Sequence, residues 1–156
     1  MVDQGLSIWE KKLPAALESG RAQFMKHDFF TPNPVKEADI YWMRNVLHDW
    51  NDDDCVRILS RTAGAMGPSS RLLVAGVNLI STLGDPYAAP APHPLLPNYG
   101  VHSRHRFDLD LSMMLLMNGK ERTSDEHRDI FWKAGLKMTK IWECRSALSI
   151  IECRLA

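Results

Sequence analysis

The stretch Ala38-Asp-Ile-Tyr-Trp-Met-Arg-Asn-Val-Leu-His48-Asp49-Trp50 reads as a short apolar strand that ends on a His-Asp-Trp triplet where a helix begins. Asp39 to Val46 is mostly apolar, as a strand is when both faces of its sheet are covered. Asn51 is a good N-cap, and Asp52, Asp53 and Asp54 put negative charge on the first turn, where the helix dipole favours it. The pattern predicts a helix to about Met66, ended by Gly67-Pro68, and a further strand at Arg71 to Val77. A strand, helix, strand unit with short connections implies parallel pairing, hence α/β architecture. A histidine at the carboxyl end of such a strand faces the crevice where open α/β sheets bind ligands, which makes His48 a candidate general base. The plainer alternative is that His48 caps the strand end or the following helix.

Upstream, residues 7–19 (SIWEKKLPAALES) carry Ile8, Leu13 and Leu17 at mixed helical spacing, and Pro14 requires a short helix or one that restarts. Arg21 to Lys26 is predicted as a short strand, followed by His27-Asp28-Phe29-Phe30 and a Thr31-Pro-Asn-Pro34 turn. Downstream, residues 78–106 hold five of the nine prolines and no periodicity, and are predicted as a long irregular excursion: a lid, a binding loop or an insert. Phe107 to Met117 is helical in type. Thr123-Ser-Asp-Glu126 is a capping box that starts a helix ending near Gly135, and Lys137 to Trp142 pairs with Ala147 to Cys153 as a closing hairpin.

The 156 residues suffice for one domain with a sizeable core, and 45% hydrophobic with 24% charged residues is ordinary globular composition. Basic and acidic residues both number 19, so no basic stripe is available to neutralise phosphates, which argues against a nucleic-acid partner. Cys55, Cys144 and Cys153 are an odd set without metal spacing, which points to reduced thiols and a cytoplasmic protein. No apolar run approaches the roughly 20 residues of a membrane helix. His93, His102 and His105 lack a partner set for a metal and read as solvated loop histidines; no metal is expected.

A second polar cluster, Asn118-Gly-Lys-Glu121-Arg122-Thr123, follows the helix that carries Met113, Met114 and Met117. Glu121 is suited to orient and polarise His48 as a general base, whereas the plain alternative is a solvated charged turn. Arg122 reads as half of a structural ion pair. The methionines either line a pocket for a flat aromatic ring or are ordinary core.

Taken together, the triplet His48-Asp-Trp50, the strand after it, the Met-rich helix, Gly119-Lys-Glu-Arg-Thr123 and Ala134-Gly-Leu136 resemble the C-terminal catalytic half of S-adenosylmethionine-dependent O-methyltransferases of the plant caffeate and fungal secondary-metabolite type. The resemblance runs from about Val2 to the C-terminus, with a poor fit between about Asn78 and Arg106. It implies S-adenosyl-L-methionine as cofactor and a phenolic or polyketide-like hydroxyl as methyl acceptor. His48 then removes the hydroxyl proton and Glu121 flanks it. Asp28 and Phe29 match residues that contact adenine, Arg44 takes the place of a basic residue in the strand before the triplet, and Asp3 matches a ribose-binding acid at the end of the second strand. Trp50, Met113, Met114 and Met117 would line the substrate pocket.

The chain also departs from that pattern. The fold implied is a partial Rossmann-like class I methyltransferase sheet with flanking helices, its first strands, its glycine-rich turn and the upstream helical dimerisation domain missing; no G-x-G triplet occurs in the chain. A second acidic residue commonly found in the family has no counterpart in Val74-Ala75-Gly76-Val77. With a family strand order of 3-2-1-4-5-7-6, the Asp39–Val46 strand is expected at a sheet edge, which invites a homodimer, a complementary methyltransferase-like chain or poor solubility. Either the chain is a truncated product, or it is a standalone remnant that binds. Two further functions stay open: a non-catalytic scaffold subunit, and a methyltransferase-fold enzyme that catalyses cyclisation without methyl transfer.

Overall fold

A computed structural model describes residues 2–144 and 146–156. The chain opens with two short helices, α1 (Val2–Lys12) and α2 (Pro14–Glu18), the break falling where Pro14 occupies the first turn of the second. Proline is tolerated there because its missing N–H would have had no intrahelical partner. Two expectations are corrected in this region. Asp3 lies in the first turn of α1 and not at a strand end; it forms an exposed ion pair with Lys26 at 2.8 Å. Arg21 to Lys26 is not a strand, since residues 21–28 carry no regular structure. An extended segment keeps strand form only when neighbours satisfy its backbone groups, and among the described residues none pairs with this one.

The sheet runs β1 (Ile40–Arg44), β2 (Arg71–Leu79), β5 (Leu148–Leu155), β4 (Leu136–Glu143), with the two-residue β3 (Arg122–Thr123) attached to β2. β1 and β2 are parallel from Ile40↔Arg71 to Arg44↔Ala75, as the strand, helix, strand reading required. β5 is antiparallel to both β2 and β4, so the predicted hairpin closes the sheet. β1 is an edge strand as expected, with Ile40 57% and Trp42 53% exposed.

Helix α3 (Asp52–Ala63) buries Cys55, Ile58, Leu59 and Thr62, the i, i+3, i+4, i+7 stripe of an amphipathic helix. Asn51 caps it by accepting from the Asp54 amide at 3.0 Å. The helix ends at Ala63, short of the predicted Met66. The Ala65 carbonyl is taken from outside the helix, by the Tyr41 hydroxyl at 2.8 Å and the Glu37 amide at 2.8 Å. Helix α5 (Ser124–Lys133) starts in the predicted capping box: the Thr123 amide donates to Glu126 Oε2 at 2.9 Å and the Thr123 hydroxyl accepts from the Glu126 amide. Its buried face, Ile130 and Phe131, meets Leu59, Leu72, Leu136 and Ile151 in one apolar core.

The irregular excursion is shorter than 78–106. Asn78 and Leu79 extend β2 because β3 supplies them with partners, and Val101 to Arg106 already belong to α4 (Val101–Met117). Gly100, at φ +88°, makes the turn that starts this helix in a backbone region glycine enters without penalty. His102 and His105 are therefore helical residues, not loop residues. No helix among the described residues is long and apolar enough to cross a membrane.

Candidate active site

The position of His48 is set just beyond the end of β1. Asn45 turns the chain with φ +52° and donates its amide to the Ala75 carbonyl at 3.0 Å, after which a single 3-10 turn (Leu47–Asp49) carries the imidazole. Leu47 is buried in the core, and the buried Cys55 thiol donates to its carbonyl. The ring thus hangs from a turn whose preceding residue is fixed.

The segment 118–123 folds over that turn. Asn118, left-handed at φ +53°, ends α4, and Gly119 then lies directly against the His48 carbonyl, where a side chain would collide with backbone. The Lys120 amide donates to the same carbonyl at 3.0 Å. Glu121 is 5% exposed, and its amide is held by Asp110 of α4 at 2.8 Å. These contacts deliver Glu121 Oε1 to 2.7 Å from His48 Nδ1.

The hydrogen bond to Glu121, and its charge with that of Asp49, raise the pKa of His48 above its ordinary value, against desolvation and the Arg122 charge, which lower it. When Nδ1–H donates to Glu121, the lone pair of the neutral ring falls on Nε2, and Asp49 Oδ1, 3.5 Å away, favours the ring once Nε2 is protonated. A carboxylate–imidazole pair of this kind can take a proton at Nε2 and stabilise the imidazolium that results.

Arg122, almost fully buried, makes the ion pair read from the sequence, with Asp52 at 2.7 Å, and also reaches the main chain around His48. His127 on α5 is buried, stacked on Phe131 with centroids 5.8 Å apart; burial pushes its pKa down to about 4, so this ring is neutral. His48, Glu121, Arg122, His127 and Gly76 border one small chamber of about 20 Å³. A Cβ added at Gly76 would meet nothing within 4 Å, so the place where the family commonly carries a second acid is open space here.

The remaining predicted residues fall into separate places. Phe29 and Arg44 line a cavity of about 210 Å³ with Trp42, Met43 and Asn33. Asp28, next to Phe29 in the chain, is exposed and accepts from the Phe30 amide at 3.0 Å. Trp50 packs edge-on against Phe29 and Phe30, with centroids 5.8 and 5.0 Å away. Met113 is half-buried on α4, whereas Met114 and Met117 are 55% and 52% exposed. Asp3, on α1, shares neither cavity. The sequence reading missed Gly119, Asp110 and His127. The first had a visible signal, a glycine next to the charged cluster; the other two contacts cross between elements and have none.

The O-methyltransferase domain family matches residues 7–137. This chain belongs to that O-methyltransferase family. It is 49% identical over 97% of its length to the O-methyltransferase gedA of Aspergillus terreus and 48% identical over 99% to the O-methyltransferase tpcA of Aspergillus fumigatus. In both cases it covers 32% of the relative, so the chain spans about a third of the length of the curated O-methyltransferases it matches.

Solved O-methyltransferases share the fold. The mitomycin 7-O-methyltransferase MmcR is 34% identical with a TM-score of 0.68, over 94% of this chain and 39% of that one. NcsB1, an O-methyltransferase from neocarzinostatin biosynthesis solved with S-adenosylmethionine and 2-hydroxy-5-methyl naphthoic acid, is 28% identical with a TM-score of 0.71, over 96% and 38%. The sheet is accordingly part of a class I methyltransferase fold.

Proposed function

We propose that this chain carries the proton-abstracting part of an S-adenosyl-L-methionine-dependent O-methyltransferase that acts on a phenolic or polyketide-like hydroxyl. The observation that carries the reading is the contact between His48 Nδ1 and Glu121 Oε1 at 2.7 Å, at the carboxyl edge of a parallel strand pair. His48 accepts the substrate's hydroxyl proton at Nε2 as charge develops on oxygen, and Glu121 holds the ring's orientation and offsets the imidazolium charge. Trp50, Met113, Met114 and Met117 would pack against the acceptor's flat ring, since thioethers adapt to such surfaces. The aromatic hydroxy acid named with NcsB1 is the kind of acceptor this arrangement suits.

The residues present fit part of the cofactor. The cavity beside Phe29 and Arg44 has aromatic and thioether walls and polar groups at Asn33 and Arg44, which suits a flat purine; at about 210 Å³ it takes a fragment of such a ligand. Phe29, Arg44 and Asp28 would hold the adenine end. S-Adenosyl-L-methionine, when bound, supplies an electrophilic methyl group. Asp3 is left out of this set because it sits on a helix paired with Lys26.

The exposed edge of β1 supports association with a second copy or with a complementary methyltransferase-like chain. One observation favours a binding-only subunit instead: Gly76 leaves open space on β2, so among the described residues Glu121 is the one carboxylate hydrogen-bonded to the ring, with Asp49 at 3.5 Å. Calorimetry with S-adenosyl-L-methionine, followed by assay of methyl transfer to a phenol, separates the two. The proposed enzyme binds, and His48→Gln lowers turnover by about 10²- to 10⁴-fold, the usual span of a general base, with cofactor affinity nearly unchanged. Equal loss of both would make His48 structural, and absence of any binding heat or thermal shift would end the claim of autonomous methyl donation.

A further inference from the structure

We propose that Arg122 is a positioning residue for His48: its guanidinium grips the main chain on both sides of the imidazole and so sets the ring against Glu121. The functional meaning of this grip rests on the reading of His48 as the base. Arg122 Nη1 donates to the Leu47 carbonyl at 2.8 Å and Nη2 to the Trp50 carbonyl at 2.8 Å, the two residues that bracket His48 and Asp49. Nε and Nη2 both also reach Asp52 Oδ1, at 3.0 and 2.7 Å.

The burial of this side chain calls for the carbonyls as well as the carboxylate. Asp52 is 48% exposed, so an ion pair with it alone could be made in solvent, yet the arginine side chain is 1% exposed. A buried charge persists only when it is paired and its donors are used, and the carbonyls of Leu47 and Trp50 use donors that Asp52 leaves. A planar guanidinium serves two diverging carbonyls and a carboxylate at once; a lysine ammonium on a flexible stem is a point charge and does not. From the other side, Gly119 packs on the His48 carbonyl and the Lys120 amide donates to it. The carbonyls of residues 47, 48 and 50 are thus all held by residues 119–122, with Glu121 set among the holders. One residue takes the ring and the next takes its backbone.

The test uses the full chain with ¹⁵N-labelled histidine and follows solvent exchange of the His48 Nδ1 proton. Loss of a hydrogen bond to a charged group predicts about tenfold faster exchange or more in Arg122→Lys, as in Glu121→Gln, while far-UV circular dichroism stays that of the wild type. The double variant is no faster than Glu121→Gln alone, because both act on one contact. Guanidinium ion at low millimolar concentration slows exchange again in Arg122→Ala and does nothing in Glu121→Gln. Asp52→Asn, whose amide oxygen still accepts from Nε and Nη2 while the Leu47 and Trp50 carbonyls keep the guanidinium seated, leaves exchange within about twofold of wild type.

A folded Arg122→Lys with wild-type exchange would overturn the proposal. So would Asp52→Asn reproducing the full effect, which would assign the role to the ion pair; this variant decides the matter if every substitution at 122 unfolds the protein. None of these readouts depends on methyl transfer. If His48→Gln left turnover intact, the base reading would fall while the grip of Arg122 stood.

Discussion

His48 Nδ1 and Glu121 Oε1 meet at 2.7 Å although they stand 73 positions apart in the chain. The meeting follows from β2, which pairs with β1 along Arg71 to Ala75 and with β3 at Asn78 and Leu79. One strand thereby aligns the segment that ends on the imidazole with the segment that begins on the carboxylate. The pair then determines how the site responds to pH: the base works only when its ring is neutral, and its pKa lies above the ordinary value of 6.5. Activity of the proposed enzyme therefore falls as pH drops through that raised value.

Gly119 is predicted to be intolerant of any side chain, since a Cβ there collides with the His48 carbonyl, which is backbone and has little room to move. Gly119→Ala should destabilise by about 1 to 3 kcal/mol, the usual cost of overpacking, and should weaken the His48–Glu121 contact with it. Urea unfolding with histidine NMR checks both. An unchanged midpoint and an unchanged His48 signal would mean the turn has slack that the packing does not suggest.

The two inner histidines bend the stability profile in opposite directions. His127 is depressed from 6.5 to about 4, so as pH falls between those values the unfolded chain takes up a proton that the folded chain refuses, and stability drops by about 3 kcal/mol in all. His48 is raised: its contribution is complete below 6.5 and is lost as pH rises through the folded value. His127→Leu should flatten the acid limb of the wild-type curve and His48→Gln the limb above 6.5. Equilibrium unfolding across this range reads both slopes; identical acid limbs in wild type and His127→Leu would mean that His127 titrates normally.

The edge of β1 is expected to pair. Ile40 is 57% exposed on a strand whose outer backbone groups have no partner strand among the described residues. Sedimentation should show a dimer that Ile40→Lys shifts toward monomer, because an edge lysine opposes strand addition. A wild-type protein that stays monomeric at every accessible concentration would remove the self-association reading and leave the complementary chain.

Much of this arrangement is readable from local pattern. The Asn51 cap, the Thr123–Glu126 capping box, the parallel unit around α3 and the closing hairpin rest on short-range chemistry and appear where the residues place them. The pairing of His48 with Glu121 is suggested by the chemistry of an imidazole and a carboxylate and strengthened by the family resemblance, while nothing within either segment sets the two side by side. The features hidden from the sequence depend on contacts between distant elements. Arg21 to Lys26 has strand-like residues but no strand beside it among the described residues, α3 gives way at Gly64 to tighter turns in which the Ala65 and Met66 amides donate to the Thr62 and Ala63 carbonyls, and Asp3 resembles the acid of a strand end yet suits a helix first turn equally well. The proline-rich stretch is shortened at both ends for the same kind of reason: β3 draws Asn78 and Leu79 into the sheet, and Gly100 releases α4 early.

The most direct test is the titration of His48 followed by its ring NMR signals in the wild type and in Glu121→Gln. The account predicts a wild-type midpoint above 6.5 that moves down when the glutamate loses its charge, with the Nδ1-protonated form of the neutral ring replaced by a mixture. A wild-type midpoint at or below 6.5, indifferent to Glu121→Gln, would contradict it.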